Sequence, residues 1–139
     1  MERVACCQCG SLQAMVSGDP AVCYLCHCKA CQQRTGTVVH SGAYFLNDQV
    51  RAKGPSKVYS RVADTGFAVH FHFCPTCGTS VHWISDKRPG YRGIAVGCFA
   101  DPTFPAPTSS DWEESKHPWL GLPPASFTGR WASTPMEVR

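Results

Sequence analysis

Three cysteines fall within six residues in the stretch Cys26-His27-Cys28-Lys29-Ala30-Cys31. A buried core cysteine usually stands alone as a small hydrophobe, so packing is a poor account of three together. Thiolates at short spacing fit around a tetrahedral zinc, with Zn–S distances of about 2.3 Å. A structural zinc takes four protein ligands, whereas a catalytic one keeps a position open. His27 lies between two of the thiols on a tight C-x-C turn, which points its ring the other way. Two readings follow. Cys26, Cys28 and Cys31 form a three-thiolate site with an exchangeable fourth position, or a second structural site closed by a distant group such as His117.

A second set of thiols reads as structural. Cys74-Pro75-Thr76-Cys77-Gly78 follows a strand-like run, and Cys7-Gln8-Cys9-Gly10 lies near the other end of the sequence. Each pair supplies two ligands and ends in a glycine, which accepts the positive φ of a chain turning back around a metal. Together they make a closed Cys₄ set that would stitch a small β domain. Cys6, Cys23 and Cys98 stand alone, and Cys98, in an apolar run, reads as a buried structural thiol.

These sites need short strands to hold them. Leu12, Ala14 and Val16 alternate with Gln13 and Met15, and Ala21 to Leu25 leads directly to the central cluster. Lys29 to Thr35 predicts one or two helical turns ending at Gly36. Beyond it, strands are expected over Thr37–Leu46, Lys57–Val62, Ser80–Ile84 and Gly93–Phe99, with a turn at Asn47-Asp48. Phe67, Val69, Phe71 and Phe73 alternate with Ala68, His70 and His72, the clearest period-2 signal in the chain. Residues 102 to 126 are rich in Pro and Ser, with at most a helical turn at Asp111 to Ser115. The expectation is a mainly β protein, with a long irregular C-terminal wrap and a single domain over residues 1–139.

Bulk properties exclude several classes. The net charge of +3 comes from scattered Lys and Arg, with no basic run to neutralise a nucleic-acid backbone. No apolar run approaches the roughly 18 residues needed to span a membrane. The N-terminal residues lack the apolar core of a signal peptide, so a reducing cytoplasm is expected. There, ten cysteines read as metal ligands before disulfides, and seven of them make up the two short-spaced groups above.

The order and spacing of Cys7-x-Cys9-Gly10, Cys26-His27-Cys28-x-x-Cys31 with Thr35-Gly36, and Phe73-Cys74-Pro75-x-Cys77-Gly78 carry a resemblance. The sequence resembles the glutathione-dependent formaldehyde-activating (GFA) enzymes, grouped with centromere protein V. Gly97-Cys98-Phe99-Ala100-Asp101-Pro102 and His117-Pro118-Trp119-Leu120-x-Leu122-Pro123 extend it. The resemblance implies a small zinc-bound stack of antiparallel sheets. It implies structural zinc on Cys7, Cys9, Cys74 and Cys77, and catalytic zinc on Cys26, Cys28 and Cys31, hence two ions per chain. The implied activity is a carbon–sulfur lyase acting on a thiol–aldehyde adduct such as S-hydroxymethylglutathione; the alternative is a non-catalytic zinc module with a closed second site. Many members carry Arg directly after the third central cysteine, where this chain has Gln32. Arg34, one turn along, is the residue expected to hold an anionic thiol such as glutathione in its place.

Overall fold

A computed structural model describes residues 1–121. Strands β1 (Glu2–Cys6), β2 (Gln13–Ser17) and β5 (Val50–Lys53) form a three-stranded antiparallel sheet in the order β1-β2-β5. The larger sheet has seven strands. They are β3 (Val22–Cys26), β4 (His40–Leu46), β6 (Lys57–Val62), β7 (Ala68–Phe73), β8 (Ser80–Ser85), β9 (Tyr91–Ala95) and β10 (Ser109–Asp111), in the order β10-β3-β4-β9-β8-β7-β6. Between β3 and β4 lies the only α-helix of the described residues, α1 (Lys29–Thr35), ended by Gly36 at φ 71°.

Period-2 patterning divides the large sheet into two faces with different jobs. One face packs against the small sheet. There Leu12, Ala14 and Val16 meet Cys23, Ala43, Phe45, Val81 and Ile94, all buried, with Phe99 and Phe104 stacked at 4.6 Å beside them. The other face carries Tyr24, Tyr44, Phe71 and Trp83, a second aromatic cluster with Val69 against it. Two glycines make room for these rings: a Cβ on Gly42 would lie 2.6 Å from the Tyr24 ring, and one on Gly93 would overlap the Trp83 indole. Trp83 is further fixed by its Nε1–H, which donates to Tyr44 Oη at 3.2 Å.

The mainly β expectation holds, and several details differ. β1 and β5 are short, and β5 forms through pairing with β2 rather than through a pattern of its own. The strand expected over Gly93–Phe99 ends at Ala95. The chain then tightens into a 3₁₀ turn over Val96–Phe99, which brings Phe99 toward Phe45 and places Cys98 half-buried on that turn. The alternation through Phe67 to Phe73 is cut at both ends. Phe67 precedes β7 and is exposed, and a register shift between His72 and Phe73 breaks the pairing with β8. The C-terminal wrap is not wholly irregular: β10 pairs in parallel with β3, so the sheets are not antiparallel throughout. Only a 3₁₀ turn at Glu113–Ser115 corresponds to the helical turn expected at Asp111 to Ser115. Leu122, Pro123 and the remainder of the expected wrap lie outside the described residues.

Between the sheets, His82 is 2% exposed and stacks on His72 at 4.5 Å. Arg92 Nη1 donates to His82 Nδ1 at 3.2 Å, so that nitrogen must stay unprotonated for the bond to exist. Burial, and then the positive charge that His72 and Arg92 would add, push His82 down to about 3. The folded state thus prefers neutral His82, and that preference stabilises it above the ordinary histidine range. Stability is lost as pH falls from about 6.5 toward 3, at up to about 1.4 kcal/mol per pH unit from this group. The expected result is a smaller fall in urea midpoint between pH 7 and pH 5.5 for His82→Gln than for the parent; equal slopes would reject it.

Candidate metal centre

The four expected structural thiols come together where β1 and β7 end. Cys7, Cys9, Cys74 and Cys77 place their sulfurs within 4.8 Å of one another. Cys7 Sγ is 3.6 Å from Cys9 Sγ, and Cys9 Sγ is 3.7 Å from Cys74 Sγ. A tetrahedron with Zn–S bonds of about 2.3 Å has S···S edges of about 3.8 Å, close to those separations. A disulfide needs about 2.05 Å, far shorter. Gly10 and Gly78 take φ of 84° and 81°, closing the two tight turns that fold each pair around one point.

Backbone and hydroxyl donors surround these sulfurs. Leu12 N–H donates to Cys7 Sγ at 3.2 Å, and Thr76 and Cys77 N–H donate to Cys74 Sγ at 3.4 and 3.5 Å. Hydrogen bonding from Thr79, side chain first and backbone next, lowers Cys77 to about 5. Ser11's hydroxyl, 3.2 Å from Cys74 Sγ, is the first cause lowering Cys74 to about 7. Two of the four sulfurs, Cys74 and Cys77, thus lean toward the thiolate form that zinc requires.

The central cluster stands at the C-terminal end of β3. Cys26 is the last residue of that strand, Cys28 caps α1, and Cys31 lies in its first turn. Their sulfurs also lie within 4.8 Å of one another, and no fourth His, Cys, Asp or Glu joins them among the described residues. Cys31 N–H donates to Cys28 Sγ at 3.3 Å. As bare thiols they compete for protons: Cys26 is pushed up by hydrogen bonding to Cys31 and by burial, while Cys31 is lowered, first by its hydrogen bond with Cys26. Burial pushes Cys28 up. A divalent cation is the group that lets crowded thiols all stay ionised.

The imidazoles considered at this site are held elsewhere. His27 is fully buried with Nε2 3.0 Å from Ser110 Oγ, and its backbone N–H donates to Asp111 C=O at 3.0 Å. His117 Nε2 is 2.9 Å from Gln32 Oε1. Gln32 also donates from Nε2 to the carbonyls of His27 (2.8 Å) and Ser115 (3.1 Å). The residue standing where many GFA enzymes have Arg thus ties the C-terminal wrap to α1.

Beside the three sulfurs is a cavity of about 120 Å³. Tyr24, His40, Tyr44, Phe71 and Trp83 form its aromatic wall, and Arg34 and Arg61 bring positive charge. Arg34 packs its guanidinium over Phe71, with Cζ 4.0 Å from the ring centroid, yet its buried Nη2 has no hydrogen-bond partner. An orphaned donor on a charged group is costly, and an anion in the cavity would satisfy it. His40, opposite Cys26 across the β3–β4 pair, is lowered to about 3 by burial and then by Arg34, so it stays neutral. The sequence reading missed His40, Arg61 and the aromatic wall. His40 sits at the start of a strand-like run where it reads as filler, and the wall residues come from strands up to 60 positions apart.

No helix among the described residues is long and apolar enough to cross a membrane. Among curated proteins none matches the sequence. Among solved structures, the crystal structure of a Rhodobacter sphaeroides protein from a structural-genomics programme superposes with a TM-score of 0.58. At 21% identity it covers 79% of this chain and 99% of its own, a likeness of fold. The family profile described as glutathione-dependent formaldehyde-activating enzyme matches residues 2–115. That span takes in both cysteine groups and every strand that builds the cavity, and on it this chain belongs to the GFA family.

Proposed function

We propose that the protein is a zinc-dependent carbon–sulfur lyase acting on a thiol–aldehyde adduct such as S-hydroxymethylglutathione. The observation that carries this reading is the three-sulfur group of Cys26, Cys28 and Cys31, without a fourth donor among the described residues, facing a small cavity. Zinc bound there would supply an open Lewis-acid position able to hold a substrate sulfur as thiolate at neutral pH. Cys7, Cys9, Cys74 and Cys77 would hold a second, structural zinc.

The chain's own residues set up the rest. In the cleavage the carbon–sulfur bond breaks with its electron pair left on sulfur. The hydroxyl oxygen forms the aldehyde double bond and its proton passes to the departing sulfur, so one adduct becomes one thiol and one aldehyde. Arg34 Nη2 donates to the anionic sulfur or a nearby carboxylate. His40 remains neutral and so hydrogen-bonds the hydroxyl without taking its proton outright. The aromatic wall keeps bulk water from the one-carbon group.

Cobalt substitution tests the reading. A protein with about two Co²⁺ per chain is expected to show tetrahedral thiolate spectra, with the share from the three-cysteine site shifting on addition of glutathione. A spectrum indifferent to glutathione and to smaller thiols would leave a purely structural metal module.

A further inference from the structure

Two arginines reach the small cavity at the three sulfurs, and among the described residues no carboxylate pairs with either. Arg34 comes from the last turn of α1. Arg61 comes from β6, where it stands opposite Val69 and so shares the aromatic face with it. Asp64 also lines the cavity but is exposed. Like charges gathered on an apolar wall are unfavourable without a counter-ion.

The Arg34 guanidinium is fixed before any ligand arrives. It stacks on Phe71, with Cζ 4.0 Å from the ring centroid, and acts on Cys31 as a neighbouring charge. Its Nη2 is buried and lacks a hydrogen-bond partner. Sulfur is a weak acceptor for such a donor. A carboxylate is a strong one, through short charge-assisted bonds. Space limits what can carry that carboxylate. The cavity of about 120 Å³ is close to the roughly 150 Å³ that takes a benzene, with its six heavy atoms. A sulfur joined to a two-carbon oxo acid also has six.

We propose that the aldehyde half of the adduct carries a carboxylate on its reacting carbon, held by Arg34 and favoured by the charge of Arg61. The electrophile is then a small 2-oxo acid aldehyde, and glyoxylate is the one of that size. A formaldehyde adduct brings no anion on its carbon and leaves Nη2 unfilled. The proposal rests on the lyase reading for its bond changes. The carbon–sulfur bond breaks with its electron pair on sulfur, the hydroxyl proton passes to that sulfur, and glyoxylate leaves with its carboxylate unchanged.

Thioglycolate has the same sulfur–carbon–carboxylate skeleton and cannot turn over. Titrated into the cobalt-loaded protein, it is expected to shift the thiolate spectrum at a concentration about tenfold lower than 2-mercaptoethanol, which has a hydroxymethyl group instead. Arg34→Gln is expected to bring the two thiols within about twofold of each other. Because α1 buries none of its residues fully, the fold and cobalt content should not change. Arg61→Gln, outside the helix, is expected to narrow the gap part-way. Equal affinity of the parent for the two thiols would overturn the proposal. So would a preference kept in Arg34→Gln, which would mark chelation of the metal alone. Turnover separates the proposal from the lyase reading. With one thiol, the glyoxylate adduct is expected to have the higher kcat/KM, and a formaldehyde adduct cleaved as well or better would overturn the assignment. Cleavage of the formaldehyde adduct without a thioglycolate preference would leave the lyase and remove the carboxylate subsite. An Arg34-dependent preference with neither adduct cleaved would uphold the subsite and remove the lyase reading alone.

Discussion

Cys74→Ala is expected to give a chain without a cooperative unfolding transition at 25 °C. Cys74 has no solvent exposure and sits in the core shared by the two sheets, beside Cys7. Its sulfur draws in the Thr76 and Cys77 N–H groups and the Ser11 hydroxyl, so it organises one turn and pins the other. The four-cysteine set joins the end of β1 to the end of β7 across 65 residues, and no covalent link does that work, since every cysteine is free. Structural zinc contributes about 10–16 kcal/mol to folding in small zinc domains, against a total stability of about 5–15 kcal/mol for a typical domain. Loss of one of four ligands therefore removes an amount comparable to the whole margin. Near-UV circular dichroism and urea titration would read the outcome. A variant that retains a sigmoidal transition within about 2 kcal/mol of the parent would show that the set is dispensable for folding.

How much of this was legible before the fold was known depends on whether the signal is local. The cysteine pairs are local: spacing, flanking glycine and donor type are all carried by a few adjacent residues, and Cys7, Cys9, Cys74 and Cys77 converge as that spacing suggests. Leu12, Ala14 and Val16 are likewise local, since period-2 burial needs one buried face only. β10 was not legible, because Ser109 to Asp111 has no apolar pattern and becomes a strand only by borrowing hydrogen bonds from β3. The role of Gln32 was hidden for the same reason. Its partners are the carbonyls of His27 and Ser115 and the ring of His117, and two of these three lie more than 80 residues away.

The cavity was hidden by a subtler cause. An aromatic residue on a strand reads as core, and Phe71 and Trp83 are buried as that reading expects. What alternation does not reveal is that the large sheet buries two faces of unlike kind. One is closed by the small sheet, and the other carries the aromatics and is met by Arg34 of α1, the β6–β7 turn at Ala63 to Thr65, and Trp112. Gly42 and Gly93 mark the second face, because a side chain at either would displace the ring opposite. Arg34 enters that face from the last turn of α1 and His40 from the first residue of β4, so neither the helix nor the strand pattern flags the pair.

Cys28→Ala is expected to abolish lyase turnover by about a thousandfold or more while leaving the domain folded. The contrast with Cys74 follows from where each sulfur sits. α1 has seven residues and buries none of them fully, so the core does not depend on it. Cys28 caps that helix through the Cys31 N–H, and a lost N-cap costs about 1 kcal/mol. Two thiolates, Cys26 and Cys31, would then remain, too few to hold zinc in a defined geometry, and the activation that metal gives is worth several kcal/mol. At about 1.4 kcal/mol per tenfold, a loss of about 4 kcal/mol is a thousandfold in rate. Metal analysis should fall from about two zinc ions per chain to about one, with the urea midpoint shifted modestly. If Cys28→Ala and Cys74→Ala unfold the protein to the same extent, the division into one structural and one reactive site is wrong. If turnover survives in the folded variant, the three-cysteine group is not where the carbon–sulfur bond is broken.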